Sequence, residues 1–204
     1  EHTFACLCKK DTPDIVLISG DITYNGERTS HDEMKAALKK LQQKGKRVYV
    51  ITATHDYTTP RMPTYGIDKN DKYIEVESVK RTQLLKYYGD FGYNNAIAKH
   101  KSTMSYVAQL ADGYRLFALN DDYGDPDCGF SDELMNWVKT EANNAKRDGQ
   151  YIIAMTHHPL VPPSPIYAAV AKGDMLNDYE LRSKQLSDLG FDFVLTGHTH
   201  MHNI

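Results

Sequence analysis

The stretch 191-FDFVLTGHTHMHNI-204 decides how this chain is read. The apolar run Phe193-Val194-Leu195 has the length and composition of a buried strand, and Gly197 ends it. His198, His200 and His202 then follow two residues apart, so three of the nine histidines fall within the last seven positions. Histidines two apart on an extended segment share a side. His198 and His200 are therefore expected to face one metal cluster. The interrupting Thr199 and Met201 argue against an affinity tag.

Four more apolar runs precede this one: DIVLIS (14–19), VYVITA (48–53), RLFALN (115–120) and YIIAMT (151–156). All five except 115–120 are apolar nearly throughout, which predicts strands covered on both faces. Helical patterns alternate with them. Residues 30–44 carry Ser30 and Glu33 at capping-box spacing, an inward stripe of Met34, Ala37, Leu38 and Leu41, and Gly45 as a stop. Residues 131–148 repeat the scheme with Ser131 as cap and Gly149 as stop, and 179–189 predict a shorter helix ending at Gly190. Strands alternating with helices predict an α/β fold.

In such sheets ligands gather outside the carboxyl ends of the strands. Gly20-Asp21 follows the first run, Thr54-His55-Asp56 the second, His157-His158-Pro159 the fourth and Gly197-His198-Thr199-His200 the fifth. One such ending is ordinary, but four of five form a pattern, because parallel neighbours bring their ends side by side. Imidazole and carboxylate are the ligand set of Zn, Fe and Mn.

The bulk composition describes a globular chain of one domain, 1–204, with an excursion at about 57–110 that is rich in Tyr, Gly, Pro, Asn and Lys. A net charge of −3 argues against binding to duplex nucleic acid. No apolar run reaches the ~18 residues of a membrane span. The three cysteines, Cys6, Cys8 and Cys128, have no spacing of a zinc knuckle or disulfide framework and are expected to be free and mostly buried. Asp121, Asp122, Asp125 and Asp127 are read as a solvated turn rather than a calcium loop, and the tyrosines of 57–106 as packing residues.

The blocks PDIVLISGDITYNGE (13–27), VYVITATHD (48–56), MTHHPL (155–160) and FVLTGHTH (193–200) resemble, in order and spacing, the signature blocks of calcineurin-like metallophosphoesterases. The connecting stretch 91–120 is similar to the bacterial cyclic-nucleotide-phosphodiesterase-like branch of that family. The resemblance implies a layered mixed β-sheet sandwich flanked by helices. It also implies two divalent transition metal ions (Mn, Fe or Zn) and hydrolysis of a small phosphate mono- or diester by metal-activated hydroxide. On this reading Asp21 bridges the metals, and His157, His198 and His200 are ligands, with His158 at a variable position. His55 is the general acid, and Asp56 orients it.

Two departures accompany the resemblance. Thr54 stands where the family's GNHD block has an Asn metal ligand. The twenty residues before Asp21 hold no Asp-x-His block, and the family usually continues with strands beyond GHxH, so the sequence is expected to be cut at both ends. These departures motivate a rival reading, a degenerate metal- or phosphate-binding domain without turnover. Asp21-x-x-Tyr24 also resembles the iron-binding pair of purple acid phosphatases, although Tyr24 is expected merely to pack beside the site.

Overall fold

The computed structural model describes residues 2–59, 63–122 and 127–200. By internal contacts the chain divides into two compact units, 1–94 and 95–204.

In the first unit, β1 (Ile15–Ser19) and β2 (Arg47–Ile51) pair in parallel, from Ile15 opposite Arg47 to Ser19 opposite Ile51. Parallel neighbours need a crossover. It is supplied by α2 (Arg28–Gln43), which turns His31, Leu38 and Leu41 inward and stops before Gly45 at φ 84°. A short helix, α1 (His2–Leu7), lies against α2. The expected cap at Ser30 is not used. The helix cap falls three residues earlier, at Glu27. Glu27 forms a β-bridge with Ser78, and the Arg28 N–H donates to the Glu77 carbonyl at 2.9 Å. This pairing fixes the helix entry and overrides the local capping-box signal, leaving Ser30 inside the first turn.

The 57–110 stretch carries more regular structure than its composition advertises. It supplies a largely exposed antiparallel pair, β3 (Tyr65–Ile67) and β4 (Tyr73–Glu75), and a five-residue helix, α3 (Leu84–Tyr88). It also supplies β5 (Ala98–His100) and β6 (Ser105–Ala111) of the second unit.

The sheet of the second unit runs β5-β6-β7-β8-β9, with β7 (Tyr114–Ala118), β8 (Tyr151–Met155) and β9 (Phe193–Leu195). The β5–β6 and β6–β7 pairs are antiparallel, and β7, β8 and β9 run parallel. The chain returns from β7 to β8 through α4 (Asp132–Arg147), and from β8 to β9 through α5 (Pro165–Val170) and α6 (Tyr179–Asp188). The Ser131 hydroxyl accepts from the Leu134 N–H at 3.1 Å, so this predicted cap is used. The helices press Leu134, Val138 and Leu186 onto Val107, Phe117, Ile152 and Ala154, which together form the core.

Coverage of the strands follows position in the sheet. Four of five positions in β2 are buried. β1 is half-buried throughout, and β9, at the sheet edge, is half-buried to exposed. β7, the run set apart for its weaker apolar character, lies mid-sheet with Leu116, Phe117 and Ala118 buried. All three cysteines are free and half-buried rather than buried. Among the described residues no helix is long and apolar enough to cross a membrane.

Candidate metal centre

Because β1 and β2 end in register, Gly20-Asp21 and the turn after Ile51 emerge next to each other. Gly20 (φ 92°) and Asp21 (φ 51°) both take the left-handed conformation, turning the chain sharply at the strand end. The Asp21 carboxylate accepts from the His55 N–H at 3.2 Å. Thr54, half-buried, opens a single 3-10 turn, Thr54–Asp56.

Asp56 is the anchor of this turn. Its side chain is fully buried and accepts from Ile22 N–H (2.6 Å), Thr23 N–H (3.0 Å) and Ala53 N–H (2.8 Å). Burial pushes its carboxyl up to about 7, against the pull of these three donors, and the Asp21 charge adds to the rise. The carboxylate is thus spent on backbone amides, not on the His55 ring. The ring is held instead by the Tyr24 carbonyl, which meets Nδ1. A carbonyl can only accept, so Nδ1 carries a proton and Nε2 is left for chemistry. The Tyr24 phenol is 74% exposed and its ring centroid lies 6.2 Å from that of His55, so the backbone of Tyr24, not its hydroxyl, serves the site.

Two further contacts clamp the loops together. The Thr23 hydroxyl donates to the His55 carbonyl at 2.7 Å. Gly26, at φ 77°, lies so close to Tyr57 that a Cβ would sit 2.6 Å from the Tyr57 Cα. Behind the turn, His31 Nε2–H donates to the Asp56 carbonyl at 2.9 Å while Nδ1 accepts from the Tyr88 hydroxyl. Burial lowers the His31 pKa, so a single neutral tautomer fits both bonds.

In the second unit, the ends of β8 and β9 carry the histidines. Met155 pairs with Leu195, and Thr156 N–H and Gly197 N–H bond the carbonyls of Leu195 and His157 at 3.0 and 2.9 Å. His157 Nε2 then lies 3.2 Å from His198 Nδ1. His158 joins them, with ring centroids 4.9 Å from His157 and 4.5 Å from His198. One nitrogen from each of the three lies within 4.8 Å of the others. Such an imidazole set suits borderline transition metals, so the donor chemistry fits divalent ions.

His200 is exposed and is not part of this cluster among the described residues. The reason is backbone geometry. Residues 198–200 are not extended: His198 (φ 67°) and His200 (φ 53°) are both left-handed, so the same-side rule for strands does not apply. His202 and Asp125 lie outside the described residues.

Asp121 contradicts its reading as part of a solvated turn. It is fully buried, and Asp122 nearly so, whereas Asp127 is exposed. Asp121 Oδ2 accepts from the Thr156 hydroxyl and the His158 N–H, each at 2.7 Å, and Oδ1 lies 3.3 Å from His158 Nδ1. That last contact is charge pairing without hydrogen-bond alignment. Burial alone would raise the Asp121 carboxyl, but His158 and Thr156 hold it below its usual value. Burial opposes charge on His158, yet hydrogen bonding and charge from Asp121 and Cys128 raise its pKa to about 10.

Sequence reasoning missed Asp121, His158 and His31. Asp121 was findable, since it follows the third apolar run, β7, in the position where the other four runs carry Asp or His. His158 sat in the quoted block but was passed over as variable. His31 gave no signal beyond its place on the stripe of α2.

The profile of the family described as calcineurin-like phosphoesterase matches residues 1–202. A crystal structure of a dimetal phosphatase from Danio rerio superposes with a TM-score of 0.63 at 11% identity, covering 98% of this chain and 70% of that one. At that identity the likeness speaks for the fold alone, a layered α/β arrangement of sheets flanked by helices. No protein with a curated description matches the sequence at a significant level. The ordered blocks, the histidine cluster and the profile spanning nearly the whole length agree: this chain belongs to the calcineurin-like phosphoesterase family.

Proposed function

We propose that the chain hydrolyses a small phosphate mono- or diester with two divalent metal ions, acting as one catalytic domain over 1–204. The metal ligands in this proposal are the residues that match the family's blocks: Asp21, Thr54, His157, His198 and His200. When bound, such ions supply a water of lowered pKa and neutralise phosphoryl charge. The protein's own groups position and protonate. His55, fixed at Nδ1 by the Tyr24 carbonyl, would act as the doubly protonated imidazolium, giving its Nε2 proton to the departing alkoxide and keeping the one on Nδ1. Asp56 serves the reaction by fixing the backbone on both sides of that imidazole.

The observation that carries the proposal is the convergence of His157 and His198 at the ends of two parallel strands. The test is hydrolysis of an aryl phosphate diester and monoester with added Mn²⁺. Turnover should disappear with a chelator, and His55→Ala should lower kcat by ~10²–10⁴-fold. Turnover indifferent to both would overturn it.

A second reading is favoured by Thr54, whose hydroxyl is a poorer ligand than an amide oxygen. It is a domain that binds metal or a phosphorylated ligand without turnover. Tight metal binding with no hydrolysis of either substrate would establish it, and restoration of turnover by Thr54→Asn would show that the missing amide is the cause.

A further inference from the structure

We infer that His158 is a metal ligand through Nε2, held for that role by the buried carboxylate of Asp121. This inference rests on the proposed metal centre and adds to it a residue that the family's blocks leave variable.

Four features of the pocket support it. His158 is buried, and its ring is nearer to that of His198 than the ring of His157 is, at 4.5 against 5.1 Å. Its Nδ1 faces Asp121 Oδ1 at 3.3 Å, so Nε2 is the nitrogen this inference assigns to the ion. The Asp121 Oδ2 binds the Thr156 hydroxyl and the His158 N–H, the groups on either side of His157, at 2.7 Å each. One carboxylate therefore sets the backbone that carries His157 and the ring of His158 together. Finally, the three imidazoles bring their donor atoms within 4.8 Å, close enough for one cation.

A carboxylate behind a histidine is a common device at metal centres. It fixes the tautomer and raises ligand basicity, and its loss typically costs ~10–100-fold in affinity. Asp121→Asn is informative because an amide oxygen can keep the bonds to Thr156 and His158 N–H. Its NH₂ group would then donate to Nδ1, forcing the imidazole proton onto Nε2 and blocking coordination.

The experiment is titration of the metal-free protein with Co²⁺, followed by visible absorption, with Zn²⁺ competition for affinity. His158→Gln should weaken binding about 100-fold or more and alter the Co²⁺ bands, and Asp121→Asn should weaken it by about 10–100-fold. A readout on the unsubstituted protein guards against misfolded variants: a shifted imidazole N–H signal from His158 Nδ1 should appear in the Co²⁺ proton NMR spectrum. If His157→Ala releases the metal while His158→Gln leaves affinity and bands unchanged, the assignment of His158 is overturned and the centre stands. If the unsubstituted protein binds no Co²⁺, or His157→Ala does not affect binding, the centre itself falls and His158 with it.

Discussion

The two units solve the same problem with opposite electrostatics. Each places a fully buried aspartate behind a parallel strand end to fix the turn carrying candidate chemistry, Asp56 in the first and Asp121 in the second. Asp56 meets only neutral backbone donors, and its carboxyl is driven up to about 7. Asp121 has an imidazole opposite it, and its carboxyl is held low. Burial is equal, so the difference comes from the partner. At Asp56 the three amide donors do not offset desolvation, whereas at Asp121 the imidazole and hydroxyl donors outweigh it.

The comparison breaks first at Asp121. Asp121→Ala should destabilise the protein by about 3–5 kcal/mol, because it strands His158 as well as two donors. Chemical denaturation of the metal-free chain measures this. Asp56→Ala leaves three buried N–H groups unpaired, at about 1–3 kcal/mol each before relaxation. The two losses should therefore be comparable in size, and a loss for Asp121→Ala far below that for Asp56→Ala would show that charge pairing is not what distinguishes the sites.

The pH dependence sharpens the contrast. A carboxyl with a folded-state pKa near 7 and an unfolded value of 3.8 binds more protons when folded across that window. Its contribution is therefore complete below about pH 4 and is lost as pH rises toward 7, by up to about 1.4 kcal/mol per pH unit. Asp56→Asn should flatten this slope in denaturation curves of metal-free protein. Asp121, held low, contributes stability above 3.8 that is lost only on acidification through its lowered pKa. The smallest effect provides a yardstick: Ser131→Ala removes a plain helix cap in the second unit and should cost about 1 kcal/mol, well short of Asp121→Ala.

Much of this was legible in the sequence, and the misses have physical causes. All five apolar runs are strands, because their length and β-branched content outweigh everything local. β6 escaped notice because Ser105, Ala108, Gln109 and Ala111 are weak strand formers whose place is set by pairing with β7. Ser30 made a sound capping signal, but pairing of Glu27 and Arg28 with the segment near Ser78 decided where the helix begins. At the site, Asp21, His55, His157 and His198 could be read from strand-end position. Asp121 was hidden by its acidic neighbours, which made a buried anchor look like a wet loop.

The left-handed backbone at His198 and His200 changes how substitutions there must be interpreted. A residue with a Cβ in that conformation carries roughly 1–2 kcal/mol of steric strain, which glycine does not. Replacing either histidine by alanine removes the imidazole but keeps the strain, while glycine removes both. Comparing the alanine and glycine variants at each position therefore separates what the ring contributes from what the bend costs, and a glycine variant that melts higher than its alanine counterpart would register the stored tension directly.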